Sequence, residues 1–455
     1  MRRILLPFYL MLSACMPITP GDIPSRAATF ETTLPPMKTF TTPRPMVARK
    51  ANADIMRDFL DLSFRLESGR TLPRFSRFEE PISVKVTGKP PSTLGRDLNR
   101  LLHRMRTEAG LDITLRQDIS TANVTIEAVT RAEIRQLLPQ AACFVVPNVS
   151  SLDEYRSLRR SPKLNWANIA KRSRVSIFVP NDSSPQEVRD CLHEELAQSV
   201  GPLNDLYRLS NSVFNDDNVH TVLTGYDMLI LRATYDPSLH AGMSMRQVAD
   251  RLPGILSRIN PTGDFRARQR NTRTPRPWIE SLQTALGPGA RPAQRRRAAD
   301  EALKISKAMG WQDHRHGFAH YAMGRILQAT NPRAGRAEFE TAQAYFKSRP
   351  GLELHQAYAA SQLAAYALTE NDPETVLRLV TPAQSVAARY ENAALLATLM
   401  LLRAEALDLA GRVSEANRVR MDSLGWARYG FGADWAVRAK MRDIARLSPL
   451  KGSRG

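Results

Sequence analysis

Apolar residues follow two different spacings along this chain, short strand-like runs in the first half and long helical periods in the second. Five runs in the first half alternate or are continuously apolar and are rich in β-branched residues, which predicts strands at 82–87, 112–116, 123–127, 142–146 and 175–179. An amphipathic stretch over about 94–108 predicts a helix after the first strand, and another helix, carrying residues 194–198, follows the fifth. The first half is therefore predicted to be α+β, in the order strand, helix, four strands, helix.

From Trp278 to about Leu447 the sequence is rich in Ala and Leu, with a helical period of about 3.6 and no strand signals. Turn residues recur about every forty positions, at 331–332, 371–373 and 410–411. This period, with two helices per unit, is typical of an α-solenoid of the tetratricopeptide type, although a plain helical bundle would have similar periodicity. Residues 279–447 are predicted to be an all-α helical-repeat domain whose concave face binds a protein segment.

The first fourteen residues have the form of an export signal. A basic start precedes an apolar run from Ile4 to Leu12 that is too short to span a bilayer. The tetrapeptide ending in Cys15 resembles the bacterial lipobox, which implies cleavage of residues 1–14 and acylation of Cys15. An ordinary secretory signal with an incidental cysteine is the alternative. Because Met16 rather than Asp follows the cysteine, the resemblance implies a lipid-anchored protein that faces the periplasm from the outer membrane.

Composition divides the rest of the chain into four segments. Pro and Thr are enriched over residues 15–48, which predicts an extended tether to the membrane. The α+β domain is predicted at 49–260. Pro, Gly and a dense run of Arg then predict a basic linker at 261–278, before the helical domain at 279–447.

The formal net charge is +19 and the pI is about 10.3, so the chain is strongly basic and favours anionic binding partners. In an exported protein, this charge favours anionic envelope surfaces and argues against nucleic acid. The arginines of the linker are either a solvated segment or a contact to an anionic lipid or polymer. The protein partner expected for residues 279–447 is an envelope protein that the sequence does not identify.

Residues 194–205 keep the spacing of a zinc-protease motif without its histidines. The motif HExxHxxGxxHD places two His ligands one helical turn apart with a general-base Glu between them, and a Gly turn then brings in a third His. Glu195 occupies the base position and Gly201 the turn. The three ligand positions are occupied by Glu194, Gln198 and Asn204.

This motif and the predicted order of elements resemble the catalytic domain of metzincin proteases. Residues 212–216 resemble the metzincin Met-turn with Phe214 in place of Met, and residues 223–235 resemble the closing helix of matrixin-like enzymes. The resemblance implies a metzincin-like mixed sheet with helices. The region from about 52 to 245 also resembles a bacterial family known only as a domain of unknown function, through its segments 58–69, 194–198, 215–217 and 226–232.

The substitutions at the ligand positions predict a pseudoprotease that needs no cofactor. Neutral carboxamides are poor zinc donors, and without a metal the water that Glu195 would activate keeps too high a pKa. The alternative is an active envelope hydrolase of the peptidase class with a non-standard ligand set. A calcium-like site that adds the oxygen of Asp205 would be incomplete. His316 and His320 have a helical ligand spacing but no nearby Glu base, so metal binding is not expected there.

Cys143 and Cys191 are the two cysteines that follow Cys15. In an oxidising periplasm, two thiols in one domain favour a disulfide, which would join a strand to the first turn of the motif helix. Two buried free thiols are the alternative, because sequence does not reveal the distance between them.

Overall fold

The computed structural model describes residues 34–41, 47–215, 217–269 and 272–452. The predicted signal segment, the lipidation residue Cys15 and most of the predicted tether lie outside these ranges. From Pro35 onward the chain forms one compact unit.

The first half contains a five-stranded mixed sheet with strand order β2-β1-β3-β5-β4. Strand β4 lies at one edge and runs antiparallel to β5, whereas the other neighbouring strands pair in parallel. All five strands predicted from the sequence are present. Their bounds are Ile82–Gly88 for β1, Ile113–Leu115 for β2, Val124–Val129 for β3, Phe144–Pro147 for β4 and Val175–Pro180 for β5.

Among the described residues of this half, seven α-helices accompany the sheet and with it form the α/β part. The predicted helix after β1 and the predicted motif helix are both present, as α2 and α5. The bounds are Asn52–Ser63 for α1, Leu94–Ala109 for α2, Arg131–Leu137 for α3, Leu152–Leu158 for α4, Pro185–Val200 for α5, Gly225–Thr234 for α6 and Met245–Ile259 for α7. Helices α1, α3, α4 and α7 were not among the elements predicted from the sequence.

Helix α5 is buried along most of its length. It packs on β4 and β5, on α2, and on a helix of the second half of the chain. Ser184 caps its N-terminus by accepting a hydrogen bond from the backbone N–H of Glu187, and Pro185 occupies the first turn. Because α5 is covered on several sides, it has no broad solvent-facing stripe, and the apolar periodicity of its sequence is correspondingly weak.

The predicted disulfide between Cys143 and Cys191 is formed, with the two Cα atoms 6.0 Å apart. Cys143 directly precedes β4, and Cys191 lies in the second turn of α5 rather than in the first. The bond fixes the edge of the sheet to the motif helix.

The described residues of the second half contain helices and no strands, and we refer to them as the helical part. Each of the longer helices packs on the next along the chain. The predicted turns at 331–332, 371–373 and 410–411 separate α10 from α11, α12 from α13 and α14 from α15. The bounds are Arg276–Leu286 for α8, Pro292–Ala308 for α9, His314–Leu327 for α10, Pro332–Lys347 for α11, Glu353–Thr369 for α12, Pro373–Arg389 for α13, Ala393–Leu409 for α14, Val413–Phe431 for α15, Asp434–Ala445 for α16 and Pro449–Gly452 for α17.

Small residues allow close helix contacts in this part. A Cβ added at Gly430 would lie 2.5 Å from the backbone nitrogen of Ala394, so α15 and α14 touch backbone to backbone. A Cβ at Gly324 would lie 2.8 Å from the ring of Phe339, between α10 and α11. These approaches would not tolerate larger side chains without a shift of the helices.

The α/β part and the helical part share a buried polar interface. Arg189 on α5 is 1% exposed and donates a hydrogen bond over 2.8 Å to the carbonyl of Glu391, in the turn before α14. Arg100 on α2 pairs with the Glu391 carboxylate. Gln186 donates to the side chain of Asn392 over 3.2 Å and accepts from the Ala394 backbone N–H over 2.9 Å. The start of the motif helix is thus fixed to the helical part.

A short segment at the end of the predicted tether lies against α15. The Lys38 backbone N–H donates to the Gly425 carbonyl over 3.0 Å, and Phe40 stacks on Trp426 with ring centroids 4.6 Å apart. Arg428 donates to the carbonyl of Pro35 over 3.0 Å. These contacts attach residues 35–40 to the helical part.

Among the described residues, no helix combines the length and the apolar character needed to cross a membrane.

Candidate functional site

The three residues of the motif that lie on α5 differ in exposure. Glu194 is half-buried, whereas Glu195 is 5% and Gln198 is 6% exposed. Glu194 and Gln198 are one helical turn apart and share one face of α5. The helix ends at Gly201, whose backbone angles, φ −139° and ψ −129°, lie outside the helical, extended and left-handed regions. A Cβ at Gly201 would lie 2.7 Å from a methyl group of Leu231, so close packing against α6 explains the glycine.

The carboxyl group of Glu195 lies in an environment that disfavours its charge. Burial raises its pKa well above the ordinary value, and the nearby carboxylates of Glu194 and Glu67 raise it further. The neutral acid is therefore favoured at this position, and a protonated carboxyl donates a hydrogen bond instead of accepting a proton. At the base position kept from the protease motif, this environment therefore disfavours the ionised form that would accept a proton.

Asn204, at the third ligand position, already has a structural contact. Its side-chain amide donates to the carbonyl of Asp61 on α1 over 2.9 Å, which fixes the carboxamide against that helix. The zinc ion that the motif implies does not fit a donor set of one carboxylate and two neutral carboxamides. Within the ranges that the structure describes, no group of three or more His, Cys, Asp or Glu side chains could hold a metal ion.

Arg172 closes the C-terminal end of α5, and sequence reasoning did not identify it. Its guanidinium donates to the carbonyls of Gln198 and Ser199, both over 2.7 Å, and to that of Gly201 over 2.5 Å. It also lies over the ring of Trp166, 5.1 Å from the centroid. Burial lowers the pKa of Arg172 to about 10. The group remains a cation at neutral pH and stabilises the negative end of the helix dipole.

The segment that resembles a Met-turn is fixed by Asp227 on α6. This buried carboxylate accepts hydrogen bonds from the hydroxyl of Ser212, from the backbone N–H of Val213 over 3.1 Å and from that of Thr224 over 2.7 Å. Burial raises its pKa to about 6, although the hydrogen bonds oppose that shift. Phe214 is fully buried and belongs to the same hydrophobic core as the apolar residues of α5. Asp216, the last residue of the segment, lies outside the described residues.

A buried ion pair links α1 to the loop after α5. Asp58 accepts from Arg208 over 2.8 Å and also pairs with Lys50. Burial alone would raise the pKa of Asp58, but the cations Lys50 and Arg208 lower it below its usual range. Arg208 reaches Asp61 as well, over 2.8 Å. This network fixes α1 against the loop that follows the motif helix.

Residues 52–254 match the family described as a protein of unknown function, DUF2927. The match covers the sheet, the motif helix and the first two thirds of α7, and it ends before the helical part. No curated protein and no solved structure matches the chain significantly. The family therefore assigns no activity to the motif residues.

Three buried histidines lie at the boundary between the two parts. The ring centroid of His355 on α12 is 5.9 Å from that of His220 and 5.9 Å from that of His314. Each ring has an oxygen partner, which is the carbonyl of Ser210 for His220, the carbonyl of Tyr207 for His314 and the carboxylate of Asp217 for His355. Burial lowers the pKa of His220 to about 3 and that of His314 to about 4. The rings of His220 and His314 are therefore neutral near pH 7.

Three further histidines have structural partners. His193 precedes the motif and is buried, and its Nδ1 accepts a hydrogen bond from the backbone N–H of Leu223 over 3.2 Å. His316 and His320 on α10 lie 2.6 Å from the hydroxyl of Ser306 and the carboxylate of Glu338, respectively. Each of these contacts explains its histidine without a ligand.

Two adjoining cavities lie beside the histidines, and we call them together the interdomain groove. One has a volume of about 580 Å³ and the other about 260 Å³. The residues that line both are Asp217, Asn218, Leu286 and Phe318. The groove is therefore bounded by the loop after α5 on one side and by α8 and α10 on the other. It was not predicted from the sequence, because its walls come from both parts of the chain.

Proposed function

We propose that this protein is a non-catalytic binding protein of the cell envelope, anchored by lipid on Cys15. A metzincin-like domain that lacks zinc supports a tetratricopeptide-like helical module, and the helical module binds an envelope protein. The observation that carries the proposal is the motif helix itself. Its ligand positions hold groups unsuited to zinc, and Asn204 already donates its amide to the Asp61 carbonyl over 2.9 Å.

The order of elements around the motif supports the metzincin-like description of the α/β part. Strand β1, helix α2 and strands β2 to β5 precede α5 in this order, with the short helices α3 and α4 between the later strands, and the segment with Phe214 and then α6 follow it. The antiparallel strand β4 at the sheet edge lies beside the motif helix, to which the disulfide ties it.

The spacing of helices supports the tetratricopeptide-like description of the helical part. Helices α11, α13 and α15 begin at Pro332, Pro373 and Val413, so two helices recur about every forty residues. Close packing at Gly324 and Gly430 places small residues where helices meet. Stacked pairs of this kind form extended binding surfaces.

The envelope location rests on the lipobox-like sequence before Cys15, which lies outside the described residues. The disulfide between Cys143 and Cys191 agrees with an oxidising compartment, because such bonds are rare in reducing ones. An active hydrolase is the second candidate. It is favoured by the buried carboxyl of Glu195, because acids with raised pKa values are common in active sites.

A zinc-binding experiment separates the two candidates. The native chain and a variant with Glu194→His, Gln198→His and Asn204→His are dialysed against zinc, and bound metal is measured by mass spectrometry. We expect no stoichiometric zinc in the native chain and one equivalent in the triple variant, because the variant restores three imidazole ligands. The double variant Glu194→His, Gln198→His is the matched control and should bind zinc more weakly.

The other outcomes are equally informative. Stoichiometric zinc in the native chain, with peptidase activity that Glu195→Gln abolishes, would establish the hydrolase. A folded triple variant that binds no zinc would reject the metzincin-like arrangement of these three positions.

A further inference from the structure

One residue that lines the interdomain groove has a buried polar atom without a hydrogen-bond partner. His355 lines the smaller cavity and is 1% exposed. Its Nε2 lies 3.3 Å from the carboxylate of Asp217, so in the neutral ring this nitrogen carries the proton and donates it. The other nitrogen, Nδ1, then carries a lone pair, and it has no hydrogen-bond partner. A buried acceptor without a partner is unfavourable, so a ligand that donates to Nδ1 would remove this unfavourable contribution.

A donor lies one helical turn away on the same wall. Tyr358 also lines the smaller cavity, and its hydroxyl oxygen accepts from the amide of Asn392 over 2.6 Å. Because a hydroxyl both donates and accepts, its own proton is available for a further contact. His355 and Tyr358 are three residues apart on α12 and share a face of it. Together they offer one acceptor and one donor, which match the N–H and the C=O of a peptide chain.

Three further aromatic side chains line the smaller cavity, together with Asp217, Asn218, Val219, Leu286 and Arg325. The aromatic side chains are Phe318, Tyr321 and Phe346, so the cavity of about 260 Å³ suits an apolar or aromatic side chain. The wider cavity of about 580 Å³ adjoins it and leaves room for the chain on either side of that residue. An extended segment fits this combination better than a compact small molecule, because the two cavities adjoin along a groove.

A positive charge lies at the edge of the aromatic cavity. Arg325 lines this cavity, is exposed on α10, and forms a hydrogen bond with the hydroxyl of Tyr321. Among the described residues, no carboxylate pairs with Arg325. Lys440 on α16 is close enough to interact with Arg325 electrostatically. The edge of the groove therefore favours an acidic residue beside the apolar one.

We infer that the interdomain groove binds an extended peptide segment of a partner protein. The segment would place an apolar or aromatic side chain among Phe318, Tyr321 and Phe346. Its main chain would pair with His355 and Tyr358, and an acidic neighbour would pair with Arg325. This inference rests on the proposed function, and it moves the site from the helical part alone to the boundary of the two parts.

The test uses the purified full-length chain in detergent and three fluorescein-labelled peptides of otherwise identical Gly-Ser sequence. The centres of the peptides are Phe-Glu, Phe-Lys and Ala-Glu, and binding is measured by fluorescence anisotropy. We expect the Phe-Glu peptide to bind at least about tenfold more tightly than the other two. Arg325→Glu should reverse the preference between Phe-Glu and Phe-Lys. Leu286→Glu, at a half-exposed position shared by both cavities, should abolish binding.

Arg333→Glu reverses a charge on the exposed surface of α11, is absent from the lining of both cavities, and serves as the matched control. It should leave all three affinities unchanged. Equal binding of the three peptides, no binding of any of them, or unchanged binding in Leu286→Glu would overturn the inference. In-cell crosslinking of the same variants separates it from the proposed function. If Leu286→Glu still captures the envelope neighbours of the native chain, the groove is not the binding site, but the proposed binding role stands. If the native chain captures none, the proposed function fails.

Discussion

Tyr429 donates its hydroxyl proton to the carboxylate of Asp97 over 2.8 Å, although the two residues are 332 positions apart. The bond joins α15 to α2 in a buried environment. Arg189, whose guanidinium lies over the ring of Tyr429, belongs to the same interface. Because these contacts unite the two parts in one compact unit, we expect the described chain to unfold in one cooperative transition.

The first prediction concerns Arg189. Arg189→Met should lower the free energy of unfolding by about 3–5 kcal/mol, because it removes the cation from a buried ion pair with Asp190. Urea unfolding followed by circular dichroism and by tryptophan fluorescence measures the change. Arg333→Met, on the exposed surface of α11, should stay within about 0.5 kcal/mol of the native chain. Two separate transitions in the native chain would contradict the cooperative interface.

The second prediction concerns the C-terminal end of the motif helix. Arg172→Met should cost about 3 kcal/mol, because it leaves buried carbonyls of Gln198, Ser199 and Gly201 without their donor. In this variant, the exchange of backbone amide hydrogens should accelerate most in the last turn of α5. Arg160→Met, at an exposed position, is the control. Unchanged exchange in α5 would mean that the guanidinium does not stabilise the helix end.

The third prediction concerns the disulfide. Replacing Cys143 and Cys191 by Ala should reduce stability by about 4 kcal/mol, because the bond closes a loop with a sequence separation of 48. Thermal unfolding with and without dithiothreitol measures this. The reductant should lower the melting temperature of the native chain and leave that of the double variant unchanged. Equal sensitivity of both proteins would contradict the prediction.

The fourth prediction is a loss of stability in acid that originates from His220 and His314. Burial lowers their pKa values to about 3 and about 4, so the unfolded chain takes up protons first as the pH falls. The contribution of each is complete above about pH 6.5, where the unfolded histidine begins to gain its proton, and it falls further until the pH reaches these lowered values. At pH 5 each should have lost about 2 kcal/mol.

The measurement is urea unfolding at pH 7.5 and at pH 5. It compares the native chain with a double variant that carries His220→Gln and His314→Gln. Acidic groups such as Asp217 and Asp313 are present in both proteins, so their contributions to the pH dependence of the unfolding free energy cancel when the two are compared. The variant should lose less stability than the native chain over this interval. A native chain and a variant with the same pH dependence would exclude these histidines as its source.

The fifth prediction concerns anchorage. Cys15→Ala should release the chain from membranes or block its processing, because the acylated thiol would be lost. Membrane fractionation with detection of the protein by antibody measures this. Cys143→Ala leaves the predicted lipidation residue intact and controls for loss of a cysteine. Identical soluble fractions for the native chain and Cys15→Ala would end the lipoprotein assignment.

The strands were predictable from sequence because each carries its own pattern of β-branched residues. The helices α3 and α4 were missed because each has only seven residues, too few to show a helical period. The capping box of Thr130 and Glu133 is the local signal that could have identified α3.

The candidate site was predictable only in part. The motif residues on α5 follow one another in the sequence, so their shared helix could be inferred from spacing. Arg172 could not be assigned to that helix, because its partners are backbone carbonyls that any sequence supplies. The contact between Asp217 and His355 joins residues 138 positions apart, and no pattern within either part indicates it.

The hydrogen bonds of the basic segment between the two parts have a practical consequence for dividing the protein into pieces. The backbone N–H of Gln269 donates to Asp54, and Arg273 pairs with Asp61, each over 2.7 Å. Protease digestion at this boundary should therefore be slow while the chain is folded. A fragment that ends there would also expose the buried side chain of Tyr207, which packs edge-on against Trp278. The two halves are therefore better produced as one chain than expressed as independent domains.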